Sequence, residues 1–291
     1  MVAAVTTALL SALCFALGAT LQQREALRAA SSGVSDPRLL WRLAHQPLWL
    51  AGVAADIASA VLHVVALSLG SIALVQPLGV TGLLFAIPMV AVLRHQGVRT
   101  RDLAAAAAVL AGLIVVMKVF PAATHTTVRG HLAMVAVLTT TLAFAAGVTG
   151  LAHLWPGRRR ALLLSAGAGA AFGVTAVAVR ALIQLIGVPG SGTKIVVAAV
   201  GIGLLIPTGY LLLQNAYRAG HFAASLATAV VMDPVAAILG GAFMLAEPLP
   251  DSASDAFLGL GCALIVVAAI ALLVRSPAHV FTVAEPTESV A

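Results

Sequence analysis

Few residues in this chain could do chemistry, and most of these are acids or bases inside long apolar stretches. Asp56 and Asp233 each lie near the middle of such a stretch, and Arg180 lies in another. His63 follows Asp56 by seven residues, a spacing that places both side chains on one face of a helix. A charged side chain at the centre of a bilayer costs about 2.5–3.5 kcal/mol on insertion scales, so each of these residues indicates a function. They are candidates for contact with a solute, a proton or a cation.

The chemistry that these side chains favour is cation or proton binding, although each also has a structural interpretation. Mg²⁺ prefers oxygen ligands and keeps several waters, so carboxylates and amides in a wet cavity would suffice, and Asp56, Asp233 and Gln76 could supply them. Alternatively, Asp233 pairs with Arg180 and fixes helix register, and His63 is a hydrogen-bonded packing residue. Asp56 is favoured for contact with a substrate or proton, because no basic residue lies near its depth.

The sequence lacks the residues that other classes of function require. The sequence contains no nucleophile beside a base, no His or Cys ligand set and no phosphate-binding loop. We therefore expect neither an enzyme nor an ATP-driven pump, and no resident cofactor. Cys14 and Cys262 lie in apolar stretches and are expected to be packing residues. The formal charge of +6 would suggest nucleic acid in a soluble chain, but here basic residues are expected to orient helices, and no nucleic acid is expected.

The elements that must position the candidate residues are membrane-spanning helices. Of 291 residues, 61% are hydrophobic and 9% are charged, against about 25% charged in an ordinary soluble domain. The segment 37–46 is too short and too basic to cross and is expected to lie in the membrane interface, in contact with lipid. Windows of about 20 apolar residues predict nine spans, at 2–22, 48–69, 71–94, 102–120, 131–153, 161–187, 193–217, 221–246 and 255–274.

Prolines lie inside several predicted spans. Pro77, Pro88, Pro207 and Pro234 each remove a backbone donor, which neighbouring helices and waters can compensate in a membrane bundle. Broken helices of this kind often line substrate paths, so we predict helix breaks at these four positions. Gln76 precedes Pro77 and places an amide beside a freed carbonyl.

The basic residues predict the orientation, because positively charged loops stay cytoplasmic. Of the 16 basic residues, twelve fall on the cytoplasmic side if the amino terminus is outside, and three fall outside, with Arg180 inside a span. The odd number of spans then places the carboxyl terminus in the cytoplasm and the acidic loop 247–255 outside. The tail 276–291 is expected to be disordered.

The two halves of the chain resemble each other. Residues 11–27 align with 169–184, so that Phe15 matches Phe172 and Gln23 matches Arg180. This predicts a four-helix repeat in 1–120 and another in 161–275, joined by a linking helix and cytoplasmic loop in 121–160. Corresponding helices are five spans apart, which inverts one repeat relative to the other and indicates alternating access.

The repeat also places polar residues on both sides of the acids. Gln22 and Gln23, near the cytoplasmic end of the first span, mirror Arg180, and Gln214 mirrors His63. A group of polar side chains would then lie on each side of Asp56 and Asp233, as a transporter with one gate on each side of its site requires.

The segments 48–87 and 11–27 resemble the drug/metabolite transporter superfamily, including its EamA-like members, and within it the NIPA-type magnesium transporters. The Asp233-Pro234 pair is similar to an acid–proline pair in metabolite-exporting members, and 94–96 replaces a usual acidic turn. The resemblance covers nearly the whole chain and implies a nine-helix secondary transporter. It rests on Gln22 to Glu25, Asp56, and the run Val75, Pro77, Leu78 and Gly79.

We therefore expect a multi-pass cell-membrane transporter of a small solute or magnesium, with a homodimer possible. Arg180 would suit a solute carrying a carboxylate, so one alternative is a proton-coupled exporter of a metabolite or drug, with Asp56 or Asp233 as proton carrier. An alternative of another class is a non-transporting scaffold or lipid-handling partner. In that case the intramembrane acids would be dispensable.

Overall fold

The computed structural model describes residues 2–29, 36–69, 75, 78, 81–93, 97–98, 100–119, 127–247, 261, 265–266 and 268–273. Over these ranges the regular secondary structure is helical, with no strand. The helices are α1 (Val2–Arg28), α2 (Arg38–Leu43), α3 (Pro47–Leu69), α4 (Gly82–Leu93), α5 (Thr100–Val119), α6 (His131–Leu154), α7 (Arg158–Leu185), α8 (Gly192–Arg218) and α9 (Phe222–Met244).

Six of these described helices, α1, α3, α6, α7, α8 and α9, are long and apolar enough to cross a membrane. Their outer faces carry large apolar side chains, among them Val64 at 66% exposure and Phe243 at 62%, which suit contact with lipid rather than water. The all-helical class is therefore confirmed over the described residues, and these helices indicate a multi-pass membrane protein. The shorter α4 and α5 fall in the third and fourth predicted spans. Much of the ninth lies outside the described residues, as do Gln76, Pro77 and the tail.

Helix α7 packs between its neighbours through small residues. It lies along α8 and α9, as α1 lies along α3 and α4. A Cβ added at Gly169 would overlap the carbonyl oxygen of Ala229, and one at Gly173 would overlap that of Asp233, so the backbones of α7 and α9 are in contact. Close backbone approach of this kind is how membrane helices gain packing energy without a hydrophobic drive. The small-residue run 167–173 therefore lies at this close contact between α7 and α9.

Helices α1 and α3 approach each other equally closely at a pair of glycines. A Cβ at Gly52 would lie 3.0 Å from the carbonyl oxygen of Gly18, and a Cβ at Gly18 would overlap Oδ1 of Asp56. The absent side chain of Gly18 therefore provides the space that Asp56 occupies.

The segment predicted to lie in the interface forms the short helix α2. Leu39 and Leu43 are buried and pack with Trp49, whereas Trp41 is 73% exposed. Asp36 precedes the helix and accepts a 2.9 Å hydrogen bond from the backbone N–H of Arg38. Helix α2 therefore has one buried apolar face, formed by Leu39 and Leu43, and one exposed face that carries Trp41.

The described prolines do not interrupt their helices. Pro88, Pro207 and Pro234 lie inside α4, α8 and α9, each of which continues through its proline, so the predicted break is wrong at these three positions. The reason is that proline removes the donor to the carbonyl four residues earlier, while the remaining bonds of the helix persist. In α9 the carbonyl that loses its donor belongs to Val230.

Candidate functional site

A cavity of about 240 Å³ lies between α1, α3, α7, α8 and α9. Both predicted acids contribute to its wall, although they come from opposite halves of the chain. No Lys, Arg or His is among the described residues that line it. The lining residues are Phe15, Ala19, Gln22, Asp56, Phe172, Tyr210, Leu213, Tyr217, Leu226, Ala229, Val230 and Asp233.

Asp56 is held by donors from two other helices. Its Oδ2 accepts a 2.5 Å hydrogen bond from Nε2 of Gln22 on α1 and a longer one, 3.3 Å, from the hydroxyl of Tyr210 on α8. Its Oδ1 is buried against Gly18 and has no hydrogen-bond partner among the described residues. The carboxylate is therefore fixed in place with half of its acceptor capacity unused.

The hydrogen bonds continue from Gln22 to the second half of the chain. Nε2 of Gln214 donates a 2.7 Å hydrogen bond to Oε1 of Gln22. The direction of these hydrogen bonds follows from the chemistry of the groups, because an ionised carboxylate can only accept. Gln22 therefore donates to Asp56 through its amide nitrogen, and its amide oxygen accepts from Gln214. Gln22 is 1% exposed and Gln214 is 0% exposed. Gln22 and Gln214 thus contact each other and connect the second half of the chain to the acid.

Asp233 lies in a different polar environment. Its carboxylate accepts no hydrogen bond and forms no ion pair within the described ranges, and Val230, whose carbonyl lost its donor to Pro234, lines the same cavity. Gly173 packs on the backbone of Asp233 and so fixes the position of this part of α9. The cavity therefore combines one carboxylate with two donors and one without a donor.

Arg180 does not pair with Asp233, so that structural interpretation is wrong. Nη1 of Arg180 lies 2.5 Å from Oε1 of Glu247, just beyond the end of α9. Asp233 lies eleven residues before the end of α9, about 16 Å along the axis, whereas Arg180 lies near the end of α7 and can extend its long side chain outward. The cation is thus outside the cavity and is neutralised at the end of the bundle.

His63 also lies outside the cavity. It is half-buried on α3, about 10 Å along the helix from Asp56. Between them, Ser59 and Ser11 exchange two hydrogen bonds of 2.8 Å from hydroxyl to backbone carbonyl and so join α3 to α1. The face of α3 that carries Asp56 and His63 is therefore polar, but Ser59 on this face contributes to the packing of α3 on α1. The fifth candidate, Gln76, lies outside the described residues.

The aromatic residues that line the site were not predicted from the sequence. Tyr210 and Tyr217 are seven residues apart on α8, with Gln214 between them, a spacing that places all three on one helical face. Phe172 packs edge to face on Tyr210, with 5.5 Å between ring centroids, and Phe15 lines the cavity from α1. The polar and aromatic stripe on an otherwise apolar helix was the available signal.

A resident metal centre gains no support from the part of the chain that is described. No group of three or more His, Cys, Asp or Glu side chains there could hold a metal ion. The predicted pair of Asp56 and Asp233 shares the cavity, where the other polar side chains are Gln22, Tyr210 and Tyr217. Two carboxylates without further anionic ligands suit a transient cation.

Comparison with known proteins gives a similarity in sequence alone. The chain is 29% identical over 271 residues to an uncharacterized protein of Corynebacterium glutamicum, and the match covers 91% of each chain. No protein-family model matches the chain. No solved structure matches it.

Proposed function

We propose that this protein is a secondary transporter that moves a small positively charged solute across the membrane by alternating access. The observation that carries the proposal is the placement of Asp56 and Asp233, one from each half of the chain, in the wall of a single cavity. Transporter sites of this kind lie near the bilayer midplane, where the two halves meet.

The charge of the cavity favours a cationic cargo. Two carboxylates removed from water are costly unless a cation or proton compensates them, and none of the described residues that line the cavity is basic. An organic anion would need Arg180, which is paired with Glu247 away from this site. The interpretation in which Arg180 binds a carboxylate solute therefore loses its support, while magnesium or a cationic small solute retains it.

The proposed architecture is two inverted repeats within nine helices, with the amino terminus outside. Two observations support the repeat: α1 lies along α3 and α4 as α7 lies along α8 and α9, and the matched residues Phe15 and Phe172 line the same cavity. Asp56 is about 14 Å along α3 from Pro47, and Tyr210 is about 12 Å along α8 from Arg218. The cavity is thus nearer the helix ends that carry the basic loops, and we assign those ends to the cytoplasm.

The test is flux in reconstituted vesicles. Purified protein in liposomes is assayed with magnesium and with a panel of small organic cations and anions, for wild type, Asp56→Asn and Asp233→Asn. We expect cation flux that both substitutions reduce at least tenfold. Glu285→Gln removes one negative charge from the carboxyl-terminal segment and should leave flux unchanged. Equal cation flux in wild type and both cavity variants would refute the role of the two acids, and wild-type flux no higher than that of empty liposomes would favour a scaffold or lipid-handling role.

A second candidate, a proton-coupled exporter, is favoured because none of the described residues donates a hydrogen bond to Asp233. A carboxylate without fixed donors is suited to exchange a proton for cargo, whereas Asp56 is held by Gln22 and Tyr210. Proton movement is followed with a pH-sensitive dye inside the vesicles. Cargo-driven proton flux that Asp233→Asn abolishes would establish coupling, and cargo flux without proton movement would exclude it.

A further inference from the structure

We propose that the cavity binds a small organic monocation, held against the rings of Phe15, Phe172, Tyr210 and Tyr217 beside Asp56, in preference to a hydrated divalent ion. This inference rests on the proposed function and specifies the chemical class of its cargo. It is carried by the composition and geometry of the cavity wall.

The wall is mostly apolar and aromatic apart from its acids. Four aromatic rings reach it from α1, α7 and α8, and five aliphatic side chains complete it. The planes of the Phe172 and Tyr210 rings are inclined at 79° to each other, so the faces of the two rings point in different directions. An ammonium group near the face of such rings is attracted by their quadrupoles, and the attraction is strongest where water is excluded. This arrangement resembles the sites that recognise alkylated ammonium groups.

A hydrated magnesium ion fits this wall poorly. Mg²⁺ dehydrates reluctantly and keeps several waters, and each buried water needs two to four polar partners. Besides the acids, the polar side chains are those of Gln22, Tyr210 and Tyr217, and both ends of the Gln22 amide are already engaged, by Asp56 and by Gln214. An organic cation instead buries methyl or methylene groups on the rings and needs no retained water.

The arrangement of the acids suits a single positive charge. Asp56 is held in position by two donors and is the fixed counter-ion. Asp233 lines the same cavity from α9 and accepts no hydrogen bond from the described residues, which leaves it for the coupling proton of the second candidate. The charge of a divalent ion would be balanced only by both carboxylates together, whereas a monocation is balanced by Asp56 alone.

The experiment measures binding by the full-length protein in detergent, by isothermal titration calorimetry. Tetramethylammonium chloride is the organic probe and magnesium chloride the comparison. The variants are Phe172→Leu and Phe15→Leu, which keep an apolar side chain but remove the ring, and Asp56→Asn. Phe243→Leu makes the same change at a lipid-facing position of α9 and is the matched control. Thermal unfolding monitored by circular dichroism checks that each variant is folded.

We expect tetramethylammonium to bind more tightly than magnesium. Removal of either ring should weaken tetramethylammonium binding by about 2- to 30-fold, which corresponds to 0.5–2 kcal/mol for a cation–π contact. Asp56→Asn should abolish binding, and Phe243→Leu should not change it. Wild-type affinity in both ring variants would overturn the inference. So would magnesium binding without tetramethylammonium binding; if Asp56-dependent magnesium flux accompanied that result, the proposed transport function would stand while the inference failed.

Discussion

Gln214 donates a hydrogen bond to Gln22, and these two buried amides, 192 positions apart, join α8 in the second half of the chain to α1 in the first. Through Gln22 the connection reaches Asp56 on α3. The position of the cavity acid is thus determined jointly by both halves. A motion that separates the halves would break this connection, so it is suited to one state of an alternating-access cycle.

Substituting Gln214 should destabilise the protein and disturb Asp56. Gln214→Leu leaves the oxygen of Gln22 without its donor in a buried place, at a cost of about 1–3 kcal/mol in the free energy of unfolding. Unfolding by denaturant in mixed micelles measures it. Thr208→Val is the control, because the hydroxyl of Thr208 bonds to a carbonyl of its own helix on an exposed face. Equal stability of wild type and Gln214→Leu would show that the contact contributes nothing.

Gly18→Ala should impair the site through a single methyl group. The added Cβ would overlap Oδ1 of Asp56 and lie 2.9 Å from the carbonyl oxygen of Gly52. Overpacking of this kind costs about 1–3 kcal/mol, and we expect cation flux to fall at least tenfold as the carboxylate moves. Gly203→Ala, where a Cβ meets nothing within 4 Å, should be neutral or slightly stabilising. Normal flux in Gly18→Ala would show that the position of Asp56 tolerates displacement.

Arg180 and Glu247 should be coupled energetically to each other and not to the cavity. Their side chains are 36% and 17% exposed, so the pair is expected to contribute about 1 kcal/mol or less. A double-mutant cycle of unfolding free energies with Arg180→Gln and Glu247→Gln measures the coupling. A parallel cycle with Arg180→Gln and Asp233→Asn should give none. Coupling in the second cycle but not in the first would contradict the pairing described above.

The two ends of α7 should label from opposite sides of the membrane. Pro156 and Pro189 are exposed residues that flank this helix, which is about 42 Å long. In a variant lacking Cys14 and Cys262, an impermeant thiol reagent applied to cells should label Pro189→Cys, and Pro156→Cys only after permeabilisation. The charge distribution predicts this order, and the reverse pattern would invert the proposed topology.

The sequence by itself determined the class of the protein and the identity of its acids. In a bilayer, the backbone N–H and C=O groups of long apolar stretches can form all of their hydrogen bonds only if these stretches are helical. A carboxylate in the middle of such a stretch therefore lies at the depth of the hydrocarbon core, however the helices are arranged. Asp56 and Asp233 could therefore be selected without a structure. The polar ends of the spans at Gln22 and Gln214 were predictable for the same reason.

The partners of these residues were decided only by the tertiary structure. One interpretation of the sequence paired Arg180 with Asp233, yet Arg180 contacts Glu247. The chain after α9 folds back toward Gly241 and brings the Glu247 carboxylate to the end of α7. Tyr210 and Phe172 became cavity residues only when α8 packed against α7. Hydropathy reports how deep a residue lies along its own helix, but not the rotation of that helix or its neighbours, and those two quantities determine which side chains meet.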